Sequence, residues 1–250
     1  MNRTQWNQLA AEFEDSVCDL TATDLTSQLS KLMKRVTLPN SGARLVDLGC
    51  GIGTFIREFG HRFEGIVGID FAAKILARAK NRQPPQLVDR IQWRTMDTAQ
   101  APAAIGTCAD LTVCLNVVTS PVEKTREEQW AAIAAVTRPG GFALVGIPAI
   151  ESARMVDEVV NAKKKGPRAV LDPKGLLDRT GAVQKHYSRP ELRKIMERHG
   201  FTSVHISRVY CPWSEEGMRK PRTSAAPYPW DWACLAQRAA AKAASSGAGR

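Results

Sequence analysis

LVDLGCGIGTF (residues 45–55) decides the architecture of this 250-residue chain. A short apolar run, Leu45, Val46 and Leu48, encloses an acid, Asp47; glycines follow at alternate positions, Gly49, Gly51 and Gly53, and helical spacing resumes after them. The run reads as a strand buried on both faces, as in a parallel sheet. The glycines strip Cβ atoms from the turn, which lets a flat polar ligand lie against backbone. Cys50, inside this turn, reads as a small spacer rather than a nucleophile. In dinucleotide-binding turns the third glycine follows the second by three residues, and a pyrophosphate sits on the helix N-terminus. The spacing here is G-x-G-x-G, so the ligand is nucleotide-like without being a dinucleotide.

Working outward, GIVGID (65–70) reads as a second strand ending on Asp70, an acid placed to accept from both hydroxyls of a ribose. IQWRTMD (91–97) is a third strand closing on Met96-Asp97, ADLTVCLNVV (109–118) a fourth, and RPGGFALVGIP (138–148) a turn and a fifth. The expected alternation is strand 44–49, helix 53–61, strand 65–70, helix 72–82, strands 89–95 and 110–116, helix 123–137 and strand 141–147. It predicts a parallel sheet with right-handed crossovers. Ligands gather at the carboxyl ends of such strands, where Asp47, Asp70, Asp97 and Asn116 all stand.

These segments, in this order, resemble the motifs of the class I S-adenosylmethionine-dependent methyltransferases. The resemblance spans residues 40–150 and returns at HYSRPELRKIMERHGFTSVHI (186–206); within the superfamily it is nearest the ubiquinone-biosynthesis-like (type 11) group. It implies an α/β fold: a Rossmann-like, seven-stranded, mostly parallel sheet with helices on both faces and an antiparallel last strand, placed at residues 230–238. It also implies S-adenosylmethionine as methyl donor and S-adenosylhomocysteine as product. The cofactor residues carried over are Asp47, Gly49, Cys50, Gly51, Gly53, Asp70, Phe71, Met96, Asp97 and Asn116, with Met96 packing on the adenine and Asp97 accepting from its amino group. Asn116 and Thr119 are expected to face the donor's amino acid end and methyl, with Thr119 on the substrate side. The N-P-P-Y signature of enzymes that methylate bases or glutamine is absent, the sequence there being Asn116-Val117-Val118-Thr119.

Residues 1–38 show helical periodicity through Trp6, Leu9, Phe13, Val17 and Leu20, which predicts an N-terminal helical cap before a methyltransferase domain over 39–240. A Gly-, Pro- and Lys-rich insertion at about 149–189 interrupts the strand–helix alternation, and the tail 241–250 is low-complexity and expected to be disordered. Apolar residues make up 44% and charged ones 24%, ordinary globular values. No apolar run is long enough for a membrane span, and MNRTQWNQLAAEFED lacks the apolar core of an export signal. The six cysteines form no C-x-x-C pair and no metal-ligand spacing, so a reduced, cytoplasmic protein without a metal centre is expected.

Methyl transfer needs alignment above all. A base is needed only for a weakly acidic acceptor, and His186 with Tyr187, just before the late helix, are the candidates for it. Trp6, Phe13, Arg168 and Trp213 are the further substrate-binding candidates. The net charge of +10 is uneven: 13 basic residues stand against 12 acidic in 1–120, and 22 against 13 in 121–250. That excess, with Lys163, Lys164, Lys165 and Arg168 in the insertion, favours a small polar or anionic metabolite as acceptor; a monomer or homodimer is expected as the working form. An RNA substrate and a non-catalytic cofactor-binding protein of the same fold are the alternatives; no RNA-binding module accompanies the domain.

Overall fold

The computed structural model describes residues 19–161, 172, 174–178, 183–217, 219–221 and 227–240. Seven strands form one sheet in the order β3-β2-β1-β4-β5-β9-β8. They are β1 Arg44–Leu48, β2 Gly65–Asp70, β3 Ile91–Thr95, β4 Ala109–Leu115, β5 Thr137–Pro148, β8 Phe201–Tyr210 and β9 Trp230–Arg238. Neighbours pair in parallel from β3 across to β5, and β9 runs antiparallel to both β5 and β8. This is the doubly wound sheet that the apolar strands 45–48, 66–69 and 111–114 call for, with the last strand reversed as expected.

Helices cover both faces: α1 Gln28–Met33, α2 Thr54–Phe59, α3 Ala73–Asn81, α4 Pro85–Val88, α5 Ala101–Ile105, α6 Glu123–Val136, α7 Ile150–Asn161 and α8 Arg189–Arg198. The period-2 alternation of a strand divides the core in two. Val46 and Leu48 pack with Trp130, Ile133, Leu192 and Met196 on the α6–α8 side. Leu45 packs with Leu29, Leu32, Phe55 and Ile56 on the α1–α2 side. Asp47 shares the parity of Leu45, so the strand carries its acid to the α1–α2 face at the carboxyl end.

Two elements differ from the sequence expectation. β5 begins at Thr137 rather than 141, because Thr137 pairs with Ala109 before a register shift. The Pro139-Gly140-Gly141 segment is absorbed into that irregularity, and a Cβ at Gly141 would stand 2.8 Å from the Ala109 carbonyl oxygen. The region after β5 opens with α7, in keeping with the polar helical segment ESARMVDEVVNAKKKG that begins the insertion, but also holds a small antiparallel hairpin, β6 Leu176–Asp178 and β7 Val183–Lys185, where loops were expected. No helix among the described residues is long and apolar enough to cross a membrane.

Candidate active site

A cavity of about 270 Å³ opens at the carboxyl ends of β1, β2 and β4. Its floor is the 49–53 loop, where the Gly49 and Cys50 N–H groups donate to the Ile69 carbonyl at 2.7 and 2.9 Å. Both flanking glycines also answer to packing within the chain. A Cβ on Gly49 would fall 2.2 Å from Val117 Cγ2, and one on Gly53 would fall 2.5 Å from Gln83 Nε2. Gly53 also takes φ 74 as the residue that starts α2, in the left-handed region where a side chain is strained.

Asp70 ties this loop to the next. Its Oδ2 accepts from Gly51 N–H at 3.1 Å and its Oδ1 from Ala72 N–H at 2.8 Å. Burial raises its pKa, against three backbone N–H groups, of Ala72, Gly51 and Phe71, that pull it down. Asp47 lies deeper, 3% exposed. Its carboxyl is pushed up to about 8, first by burial and then by repulsion from Asp19 and Asp70. Burial likewise lifts the Cys50 thiol well above its usual range, so Cys50 is no nucleophile. Asp97 caps the short turn Thr98–Gln100, its Oδ1 accepting from Ala99 N–H at 2.9 Å. Asn116 leaves β4 with φ 56, and its Nδ2 donates to Asp231 Oδ2 at 3.0 Å.

The cavity brings together Asp47, Gly49, Cys50, Gly51, Asp70, Phe71, Asp97, Asn116 and Thr119 of the sequence candidates. Gly53 and Met96 stand behind this wall, Met96 packed against the sheet core with its N–H on the Asp70 carbonyl. Trp6, Phe13 and Arg168 lie outside the described residues.

Three candidates are corrected. Tyr187 is 1% exposed, donates its hydroxyl to the Val118 carbonyl at 2.8 Å and meets Trp130 edge-on, so it is a core residue whose phenol burial holds in the neutral form. Trp213 is 2% exposed and does not line the cavity, its indole turned inward by a short turn over 213–216. His186 flanks the wall without joining it: its Nδ1 stands 3.4 Å from the carbonyl of Gln184, a lining residue.

Sequence reading missed three parts of the wall. Asp19, Leu20 and Thr21 cross above Asp47, with Leu20 seated where Gly146 has no side chain: a Cβ there would fall 2.6 Å from Leu20 Cδ2. α6 contributes Thr125 and Gln129, one helical turn apart, and β7 contributes Val183 and Gln184. The hairpin is held over the opening by Lys185, whose N–H donates to the Thr119 carbonyl at 2.9 Å. The Lys185 ammonium, itself buried, donates to the Lys174 carbonyl at 2.5 Å and pairs with Glu191 at 2.7 Å.

Electrically the wall is one-sided: Asp19, Asp47, Asp70 and Asp97 line it, and no lysine or arginine does among the described residues. No three His, Cys, Asp or Glu side chains among the described residues converge as metal ligands. Four further oxygens, Thr54 Oγ1, Thr98 Oγ1, Asn116 Oδ1 and Gln129 Oε1, are buried in lining residues without a hydrogen-bond partner. Buried acceptors left open mark where a donor-rich ligand belongs.

Residues 45–141 match the family model described as a methyltransferase domain. Magnesium-protoporphyrin O-methyltransferase of Rhodobacter capsulatus is 29% identical over 68 residues, 27% of this chain and 30% of that protein. Trans-aconitate 2-methyltransferase of Variovorax paradoxus is 39% identical over 79 residues, 30% of each chain. The chain thus aligns with under a third of the length of these curated relatives. Among solved structures, the 1,6-didemethyltoxoflavin-N1-methyltransferase of Burkholderia thailandensis, with bound 1,6-didemethyltoxoflavin and S-adenosylhomocysteine, superposes with a TM-score of 0.62 at 14% identity, over 95% of this chain and 87% of that one. The motif region, residues 45–141, is thus similar in sequence to methyltransferase domains, and the described strands share the fold of solved methyltransferases.

Proposed function

We propose that this chain transfers a methyl group from S-adenosylmethionine to a small polar metabolite. The observation that carries the reading is the set of four aspartic acids that, among the described residues, face no cation. A cleft that concentrates negative charge and open acceptors selects a cationic ligand rich in N–H and O–H donors, and a sulfonium bearing an amino group, a ribose and an adenine is one. Asp70 would receive the ribose hydroxyls and Asp97, through its uncapped oxygen, the adenine amino group; Asp19 and Asp47 lie toward the positive charge. S-adenosylmethionine, when bound, supplies a methyl carbon already activated by its sulfonium. The chain's contribution is to fix that ligand, exclude water beneath the 183–185 hairpin and align an acceptor for in-line displacement.

We assign the acceptor to Thr119, Ser120, Thr125, Gln129 and Gln184, which line the same cavity. Hydroxyls and amides there support a polar acceptor recognised by hydrogen bonds; the basic residues 163–168 that favour an anion lie outside the described residues. Gln129, with its Oε1 unpartnered, is the residue we assign to acceptor recognition.

The test is incubation of the full chain with methyl-tritiated donor and either a metabolite extract or total RNA, followed by mass identification of the labelled product. Label in a small molecule is expected, and a Gln129→Leu variant should lower its kcat/KM roughly tenfold, the worth of a lost hydrogen bond to a buried group. Label in RNA alone, or none, overturns the proposal.

A further inference from the structure

Asn116 is held by two unusual features at once. Its backbone adopts φ 56, which asparagine tolerates better than most residues, and its N–H is fixed on the Gly146 carbonyl at 2.8 Å. Its side chain reaches Asp231 of β9 from a residue that also lines the cavity. On the β9 side, Nδ2 meets Asp231 Oδ2 at 3.0 Å; Oδ1, at the other end of the same amide, is buried without a partner in a residue that lines the cavity. A carboxylate can only accept hydrogen bonds, so an ionised Asp231 admits one amide orientation.

From this geometry we infer that Asp231 is a positioning residue, which fixes the Asn116 amide so that Oδ1 rather than Nδ2 is the end left open, a further acceptor in a residue of the cavity wall. Nothing in the sequence motifs points to it: Asp231 comes from the antiparallel strand, 115 residues away from its partner. The consequence for a cationic ligand, which rests on the methyltransferase reading, is that the cleft's acceptor set is completed from outside its wall. A protonated Asp231 gains an O–H that can donate to Oδ1, a bond no carboxylate can make, and the amide that accepts it has Nδ2, a donor, as its open end.

The surroundings support a switch in an accessible range. Burial raises the Asp231 carboxyl, the Asn116 hydrogen bond lowers it, Glu216 raises it and an Ala149 N–H lowers it, to about 6. The other charges nearby are engaged elsewhere. On β8 the Arg208 guanidinium lies over the Trp230 and Trp232 rings, 4.4 and 5.8 Å from their centroids. On α7 Glu151 accepts from Trp232 Nε1 at 3.1 Å.

The test is the side-chain amide resonance of Asn116 in the ligand-free full chain, assigned by its loss in Asn116→Gly and followed from about pH 5 to 8. It should move with a midpoint near that of Asp231 and stay fixed in Asp231→Asn. In parallel, calorimetry with S-adenosylhomocysteine at about pH 7.5 should show roughly five- to tenfold weaker binding for Asp231→Ala, and near wild-type binding for Asp231→Asn, which keeps an acceptor for Nδ2. A wild-type Asn116 amide that does not titrate, or wild-type affinity in Asp231→Ala, overturns the inference. If S-adenosylhomocysteine fails to bind the wild type, the methyltransferase reading falls, while the amide titration still decides the role of Asp231.

Discussion

Replacing Asp47 with asparagine separates the two things this acid does, destabilise the empty protein and attract the ligand. In the folded chain its pKa stands near 8 against a reference of 3.8. A raised carboxyl binds its proton more tightly when folded, so between these values the unfolded state holds fewer protons and stability falls as pH rises. Each pH unit in that window is worth about 1.4 kcal/mol, so from pH 4 to 7 the loss is on the order of 4 kcal/mol. Asp19 and Asp70 share the charge, and ionising one raises the cost of the next. Asparagine has the same shape and no proton to lose. Chemical denaturation at intervals from about pH 4 to 9 should therefore show the wild type losing several kcal/mol that Asp47→Asn retains, with the variant the more stable at pH 7 and above. A cationic ligand reverses the preference by favouring the ionised acid. Wild-type binding of S-adenosylmethionine at neutral pH should release protons, read as calorimetric heats that vary with buffer ionisation enthalpy, and Asp47→Asn should bind much more weakly without that release. Parallel pH–stability curves for the two proteins would refute this account of the cleft.

Asp70→Ala removes two loop-anchoring hydrogen bonds together with the proposed ribose acceptor, and S-adenosylhomocysteine affinity should fall by about 1.5–3 kcal/mol; unchanged affinity would mean the ribose is misplaced. Gly53→Ala forces a side chain into a left-handed backbone and against Gln83, so thermal denaturation should show a loss of at least about 1–2 kcal/mol, and a neutral result would contradict the cap geometry. Glu191→Gln leaves the buried Lys185 ammonium without its counter-ion. Hydrogen exchange over residues 183–187 should quicken and the acceptor KM rise while S-adenosylhomocysteine affinity holds; unaltered exchange would show that the hairpin is fixed otherwise.

The sheet was legible because its strands carry local signatures: apolar runs ending on acids, and a glycine turn after β1. Asp47, Asp70, Asp97 and Asn116 could be placed at one edge for the same reason, since a parallel sheet sends every strand end to the same side. What the glycines pack against was not legible. Gly49 and Gly53 answer to Val117 and Gln83, contacts made across more than 25 residues of sequence. Asp19–Thr21, Thr125 with Gln129, and β7 reach the cavity by packing of separate elements, and no periodicity within any of them announces a ligand. Tyr187 was misread because it precedes the Ser188 cap of α8, a position that looks exposed. The Ala149–Tyr187 bridge instead directs it under the sheet, where Val118 and Trp130 claim it. Trp213, a substrate candidate as one of the aromatics clustered in the Pro-rich C-terminal segment, anchors its loop instead, since the 213–216 turn buries the indole.

The most direct test of the cleft as a sulfonium site is calorimetric titration of the full chain with S-adenosylmethionine and, separately, with NAD. One-to-one binding of S-adenosylmethionine with proton release and no heat from NAD is the result expected of four carboxylates closed around a cation; no binding of S-adenosylmethionine, or tighter binding of NAD, would contradict it.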